Sequence, residues 1–135
     1  MIKKNKIFVG YVTPNIFNGM KVPLTLQHRA INDQVNSLKG VYKLSQTELI
    51  IKEAYATLFS ILNNSKNYSN IIMCSLFMLP DNLKLRNEIL NIIIKKKINL
   101  YFVFEKFILN HSNINDLELF LKLFNTVKTS NYPFK

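Results

Sequence analysis

Short apolar segments alternate along the chain with longer segments in which apolar residues recur at helical spacing. Runs rich in β-branched and aromatic residues predict four strands, at 6–12, 41–44, 71–77 and 98–104. Apolar residues three or four positions apart predict four helices, at 24–39, 53–62, 82–97 and 113–127. Because strands that alternate with helices pair in parallel through right-handed crossovers, this βαβαβαβα order predicts an α/β domain with a four-stranded parallel sheet flanked by helices.

No linker, repeat or composition change divides the 135 residues, so the sequence predicts a single domain over 1–128 and a loose tail at 129–135. The apolar runs are far shorter than the roughly 20 residues that a membrane span needs. The lysine-rich start is followed by only Ile7-Phe8-Val9, which is too short for the apolar part of a signal peptide. We therefore expect a cytoplasmic protein with no membrane span.

The chain is strongly basic, with 18 Lys and Arg against 8 Asp and Glu and a net charge of +10. Nucleic-acid surfaces favour arginine for bidentate contacts, yet only Arg29 and Arg86 are present. We therefore interpret the lysines as part of a Lys-, Asn- and Ile-rich composition and expect no nucleic-acid partner. The single cysteine, Cys74, excludes an intramolecular disulfide, and no Cys/His cluster indicates a metal or another cofactor.

Distinctive polar residues follow the predicted strands or begin the helices after them. In open parallel sheets, ligands bind outside the carboxyl ends of the strands, so these side chains are expected to share one edge. The candidate site residues are Tyr11, Gln27, Glu48, Tyr55, Ser75, Arg86 and Glu105.

The residue types suggest roles for a small enzyme. Glu48 and Glu105 are the candidate catalytic residues, since two carboxylates can act as general acid and base. Arg86 could clamp a carboxylate or phosphate, and the other four candidates would bind and orient the substrate. Structural alternatives remain open: both glutamates could pair with Arg86 or Arg29, Gln27 could satisfy loop backbone, and the two tyrosines could belong to the core.

A series of motifs over residues 7–110 resembles the sporadic carbohydrate cluster proteins, a small bacterial family encoded among genes for surface polysaccharide and nonulosonic acid synthesis. The most specific motif is the turn Cys74-Ser75-Leu76-Phe77-Met78-Leu79-Pro80. The other motifs are Gly10-Tyr11, Gly19, Pro23 with Gln27, Ile31 with Asp33, Glu48, Tyr55, Arg86 and Phe102-Val103-Phe104-Glu105. His28 stands where the family often has Asn, and Lys52-Glu53-Ala54-Tyr55 replaces a Pro-Asn-Cys-Tyr-like segment. The resemblance implies a role in glycan biosynthesis but no particular catalytic residue.

The architecture is also similar to the catalytic domain of serine recombinases, through the tyrosine of the first strand, Gln27 and the Leu-Pro-Asp segment that leads to Arg86. In that family a nucleophilic serine follows the first strand, with an arginine near it. Here Asn15 stands at the serine position and Thr13 at the arginine position. An amide cannot form a covalent phosphoseryl link, so the resemblance implies a resolvase-like or flavodoxin-like three-layer fold without the recombinase reaction.

We expect a carbohydrate-pathway protein of bacterial surface glycan biosynthesis that binds a sugar, sugar phosphate or nucleotide sugar at the carboxyl edge of the sheet. Whether it is an enzyme stays open. The alternative is a non-catalytic partner or regulatory module of a polysaccharide biosynthesis complex. A homodimer is a further expectation, through an apolar face of the last helix formed by Ile114, Leu117, Leu121 and Phe124.

Overall fold

Five strands form one sheet, in the order β2-β1-β3-β4-β5, within residues 6–51 and 54–130, which are the part of the chain that the computed structural model describes. The strands are β1 (Ile7–Val12), β2 (Val41–Thr47), β3 (Asn70–Met73), β4 (Asn99–Phe102) and β5 (Phe107–Leu109). The α-helices are α1 (Leu24–Ser37), α2 (Ala56–Asn64), α3 (Leu83–Lys96) and α4 (Leu117–Ser130). The sheet is parallel except for β5, which runs antiparallel to β4. The predicted α/β fold with a parallel sheet is confirmed.

The prediction of four strands was wrong by one. β4 ends at Phe102, and the chain then reverses through a turn in which Lys106 has a φ of 52°. The next three residues return along β4 as β5. A strand of three residues leaves little periodicity in the sequence, so the pattern does not predict β5. Several predicted elements also differ at their ends. β2 continues to Thr47 where the sequence predicts an end at 44, and α2 covers Ala56–Asn64 where it predicts 53–62. After β3 the chain forms a 3₁₀ turn at Leu76–Met78, and another at Ile114–Asp116 precedes α4.

The core lies where the helices pack against the sheet. All three apolar residues of β3 are fully buried, which agrees with a strand that is covered on both faces. Helices α1, α2 and α3 contribute buried residues at helical spacing, among them Ile31 and Val35 in α1, Leu58 and Leu62 in α2, and Ile89 and Ile93 in α3.

A β-bulge in β2 sets which side chains reach the carboxyl edge. From Val9 to Tyr11 in β1 the paired residues in β2 advance from Lys43 to Gln46, so β2 has one extra residue there. Gly10 lies opposite the bulge, where a Cβ atom would be 2.6 Å from the hydroxyl of Tyr42. The bulged strand therefore approaches β1 closely enough that only glycine fits at this position.

Helices α1 and α2 lie on opposite faces of the sheet. The hydroxyl of Ser45, next to Gly10, is 2.9 Å from Nδ1 of His28 in α1. Tyr11 points to the other face, because side chains alternate along a strand, and it contacts a glutamate bound to the N-terminus of α2. The arrangement is the three-layer architecture that the sequence predicts.

The lysine cluster at 95–97 has a structural role at the end of α3. The ammonium of Lys96 donates to the carbonyl oxygens of Leu62, Asn63 and Ser65, at 3.1, 2.5 and 3.0 Å. These carbonyls lie at the C-terminal end of α2, where a cation is favourable, and that of Leu62 also accepts from the amide of Ser65 at 3.3 Å. Within the described part of the chain, no helix combines the length and apolar character that crossing a membrane requires.

Two of the four residues of the expected dimer face of the last helix are buried within the domain and are not exposed for a partner. Ile114 and Leu117 are buried in the domain's own core, and Leu121 is half-buried against it. The side chain of Phe124 and residues 131–135 of the expected tail lie outside the described residues, while residues 129 and 130 belong to α4. The exposed leucines of α4 are Leu119 and Leu123.

Candidate functional site

An open cleft of about 600 Å³ lies at the carboxyl ends of β1, β2 and β3. Its position is the switch point of the sheet, because the chain proceeds from β1 to β2 on one side and then returns to place β3 on the other. Ligands of open α/β sheets bind at this point. The lining comprises Tyr11, Thr13, Pro14, Asn15, Ile16, Phe17, Lys21, Ile50, Ile51, Ala54, Tyr55, Phe77, Met78 and Asp81.

The loop between β1 and α1 has a defined structure. Phe17 and Met20 exchange two backbone hydrogen bonds of 2.9 and 3.0 Å around Asn18 and Gly19, which have φ values of 51° and 71°. Two successive positive φ values are what a type I′ turn needs, and Asn-Gly is its most favourable sequence. The Nδ2 atom of Asn15 also donates to the carbonyl of Leu49 at 2.8 Å. The loops after β1 and β2 are thus tied together at the mouth of the cleft.

The side chain of Gln27, in α1, holds both ends of this loop by hydrogen bonds. The side chain is fully buried; its Oε1 accepts from the amide of Thr13 at 3.0 Å, and its Nε2 donates to the carbonyls of Thr13 and Val22 at 2.7 and 2.8 Å. Both ends of the loop are therefore bonded to one amide group. Gln27 supports the cleft without lining it.

Glu48 is a buried carboxylate, with 3% of its surface exposed. Its two oxygens accept hydrogen bonds from the hydroxyl of Tyr11 at 2.9 Å and from the amides of Leu49, Thr57 and Leu58 at 3.1, 2.9 and 3.1 Å. The last two amides belong to the first turn of α2, where backbone N–H groups lack helical partners and a negative charge is favourable. Glu48 thus closes the N-terminus of α2.

Tyr11 forms the floor between Glu48 and the cleft. Burial, and then the charge of Glu48, raise the pKa of Tyr11 far above its ordinary value. A raised pKa means that the phenol keeps its proton at every pH at which the domain functions. Tyr11 therefore acts as a permanent donor to Glu48, and Tyr55 lies close enough to contribute to the same shift.

Glu105 performs a related role on the other side of β3. Its carboxylate accepts from the hydroxyl of Ser75 and from the amide of Leu76, both at 2.8 Å. The Ser75 oxygen in turn accepts from the amide of Phe77 at 3.1 Å. The pair closes the 3₁₀ turn that follows β3, and this turn positions Phe77 and Met78 along the cleft.

The two candidate catalytic glutamates do not form a pair. Glu48 follows β2 and Glu105 follows β4, and the sheet order inserts β1 and β3 between these strands. Three strand spacings amount to roughly 14 Å. Neither glutamate lines the cleft, so acid–base catalysis by either of them stays a prediction.

Arg86 forms its ion pair with Glu118 and not with Glu48 or Glu105, the partners that the sequence suggests. Its Nη2 and Nε atoms lie 2.7 and 3.0 Å from Glu118 Oε1 in α4, and Nη1 donates to the carbonyl of Pro80 at 3.2 Å. The alternative that Arg86 pairs with Glu48 or Glu105 was therefore wrong. Arg86 ties α3 to α4 instead, and it does not line the cleft.

Of the seven candidate site residues, Tyr11 and Tyr55 line the cleft and the other five do not. Sequence reasoning missed Lys21, Asp81 and the apolar lining residues Ile16, Ile50 and Ile51. The charged residues could have been found from their position, since Lys21 closes the Asn-Gly hairpin loop and Asp81 follows the turn after β3. The isoleucines gave no pattern because they lie in loops.

The cleft offers a cation, a carboxylate, an amide and aromatic rings, which together suit a polar ring compound that carries an anionic group. Lys21 supplies the cation, Asp81 the carboxylate and Asn15 the amide. Among the residues that the structure describes, no group of three or more His, Cys, Asp or Glu could hold a metal ion.

Cys74 lies fully buried at the end of β3, and we expect it to be unreactive. Burial, followed by the charge of Glu105, raises the pKa of Cys74 to about 12. Since the unfolded thiol ionises near pH 8.5, the folded state holds a proton that the unfolded chain releases between about pH 9 and 12. The stability of the native protein relative to Cys74→Ala should therefore fall by about 1.4 kcal/mol per pH unit in that window.

Two measurements test this expectation for Cys74. Urea unfolding at several pH values should show the declining difference, and a thiol reagent should label the native protein far more slowly than the urea-unfolded chain. Equal labelling rates in the two states would contradict the burial of the thiol.

Comparison with known proteins supports the fold. The N-terminal catalytic domain of TP901-1 integrase, a serine recombinase, is similar to this chain with a TM-score of 0.60 and 13% identity, over 94% of this chain and 100% of that domain. Thr13 and Asn15, which stand where the resemblance to serine recombinases would place an arginine and a serine, both line the cleft. No protein-family model and no curated protein match the chain, so the resemblance to the sporadic carbohydrate cluster proteins stays a prediction. The structural likeness shows a resolvase-like three-layer α/β fold.

Proposed function

We propose that this protein acts in bacterial surface glycan biosynthesis by binding a sugar phosphate or nucleotide sugar in the cleft at the carboxyl edge. The observation that supports this most directly is the combination of Lys21 with polar and aromatic residues in a cleft at the switch point of the sheet. The motif resemblance supports the pathway, and the cleft supports the ligand class.

Each lining group would bind one part of such a ligand. The Lys21 ammonium would neutralise a phosphate, for which lysine acts as a point charge. Tyr55 and Phe77 would contact the apolar face of a sugar or base. Asn15 and Asp81 would accept or donate hydrogen bonds to hydroxyl groups. Rings, amides and a few charges in one concave site are typical of small-molecule sites.

A second candidate function is a non-catalytic binding or regulatory module of the same pathway. The observation in its favour is that Glu48 and Glu105 are both engaged as backbone acceptors outside the cleft. If the protein is an enzyme that uses Glu105 as its general acid or base, the Glu105→Gln variant would lose turnover. Retention of turnover in that variant would leave the cleft residues as the acid–base candidates.

Calorimetric titration with a panel of sugar phosphates and nucleotide sugars tests the ligand class. We expect saturable binding that weakens at least about tenfold in Lys21→Ala, since one charge-assisted hydrogen bond contributes roughly 1.5–3 kcal/mol. Lys122→Ala removes an exposed lysine of α4 and serves as the matched control.

Two outcomes would contradict the proposed ligand class. One is the absence of binding by every compound in the panel to a protein that unfolds cooperatively. The other is equal weakening in Lys21→Ala and Lys122→Ala, because a general charge effect would then explain the affinity.

A further inference from the structure

The mouth of the cleft carries an unusual concentration of exposed apolar side chains. Ile50, Ile16 and Ile51 are 84%, 69% and 61% exposed. Met20 and Leu49 are also exposed in the same two loops. We call these five residues the apolar rim. Single exposed apolar residues are common on protein surfaces, but a cluster of this kind marks an interaction site.

The rim is held outward by defined structure. The hydrogen bond from Asn15 to Leu49 joins the two loops, and the Asn-Gly hairpin fixes Met20 opposite Phe17. Phe17 points inward and is buried, so the hairpin separates an inward anchor from outward residues. These contacts hold the rim in place without covering it.

Exposed lysines lie at the same edge of the sheet as the rim. Lys21 lines the cleft, as Ile16 does, Lys84 lies in the first turn of α3, and Lys106 lies in the turn between β4 and β5. Among the described carboxylates of this edge, Glu48 and Glu105 accept from backbone amides, Glu118 is paired with Arg86, and Asp81 is exposed. The exposed surface of this edge therefore combines apolar side chains with more lysines than carboxylates.

We propose that the apolar rim docks on an anionic membrane surface and places the cleft opening at the lipid headgroups. Apolar side chains enter the interface between headgroups and acyl chains, and lysines are attracted to anionic lipids. A second copy of the chain fits less well, since a net charge of +10 repels self-association. The inference rests on the exposed residues alone and holds whether or not the cleft binds a sugar.

Co-sedimentation with vesicles tests the proposal on the full chain. Vesicles of equal parts phosphatidylcholine and phosphatidylglycerol should bind the protein, and vesicles of phosphatidylcholine alone should bind it more weakly. The double variant Ile16→Ser with Ile50→Ser should bind the mixed vesicles at least about tenfold more weakly, because two exposed apolar side chains no longer enter the interface. The matched control is Leu119→Ser with Leu123→Ser, which removes two exposed leucines of α4 and should bind as the unaltered protein does.

Several outcomes would overturn the docking proposal. They are no binding to mixed vesicles, equal binding by the rim variant, and an equal loss in the α4 control. Light scattering that shows a dimer dissolved by the rim substitutions would assign the surface to a second copy instead. Sugar binding measured by calorimetry is a separate result, so failure of one proposal would leave the other intact.

Discussion

Replacing Glu48 by alanine is expected to lower the free energy of unfolding by about 3–5 kcal/mol, the largest effect that we predict for one side chain. The carboxylate is buried, and it accepts hydrogen bonds from the phenol of Tyr11 and from the amides of Thr57 and Leu58. The substitution would leave a buried hydroxyl and the first turn of α2 without their acceptor. Since a domain of this size is stable by only about 5–15 kcal/mol, the variant should unfold at a much lower temperature.

Two comparison variants separate the causes of this loss. Glu48→Gln keeps one acceptor oxygen but removes the charge at the helix N-terminus, and we expect it to be intermediate, at about 1–2 kcal/mol. Glu88→Ala removes an exposed glutamate of α3 and should change stability by less than about 0.5 kcal/mol. Urea unfolding followed by circular dichroism gives all three values. We expect a loss of about 3–5 kcal/mol in the free energy of unfolding of Glu48→Ala. A loss of less than about 1 kcal/mol would refute the capping role.

Replacing Gln27 by methionine should destabilise the domain by about 2–4 kcal/mol and also loosen the loop that forms one wall of the cleft. Methionine has a similar volume, so the main change is the loss of hydrogen bonds to the backbone of Thr13 and Val22. These groups are turned inward and would have no replacement partner. We therefore expect tryptic cleavage after Lys21 to become faster under native conditions.

Helix α1, which contains Gln27, also provides a control for the Gln27 substitution. Gln34 lies about two turns further along α1 and is half-buried, so Gln34→Met tests the effect of methionine without the loop contacts. It should change stability by less than about 1 kcal/mol and leave cleavage after Lys21 unchanged. Slow cleavage in Gln27→Met, equal to that in the control, would show that the loop is held by other contacts.

The sequence was sufficient for the architecture because the core is encoded in apolar periodicity. β3 shows this well, since its uninterrupted apolar run predicts a strand and all of its apolar residues are buried. β5 was not predicted, because three residues are too few to show the alternation of a strand. The predicted strand at 71–77 extends beyond the end of β3 at Met73. The reason is that the residues of the 3₁₀ turn at Leu76–Met78 are as apolar as those of the strand before them.

The candidate site could be predicted in position but only partly in composition. Tyr11 and Tyr55 reach the cleft, because residues at strand ends and helix starts gather at one edge. Glu48 and Glu105 lie at that edge too, but their direction depends on which backbone amides are free, which a sequence does not show. Ile50 lines the mouth from an irregular loop, where neither helical nor strand periodicity applies.

The extra residue in β2 has a consequence for how far the chain can vary in length. Side chains alternate between the faces of a strand, so adding or removing one residue reverses every position beyond the change. Lys43 and Gln46 share a face only because the bulge intervenes, and Glu48 reaches Tyr11 on that same face. Because the bulge takes up this extra residue, a chain that lacked one residue at the bulge would pair regularly with β1 and keep the carboxylate on the face of Tyr11. A one-residue change between Gln46 and Glu48 would instead turn the carboxylate toward α1. We therefore expect related sequences to vary in length at the bulge and not beyond it.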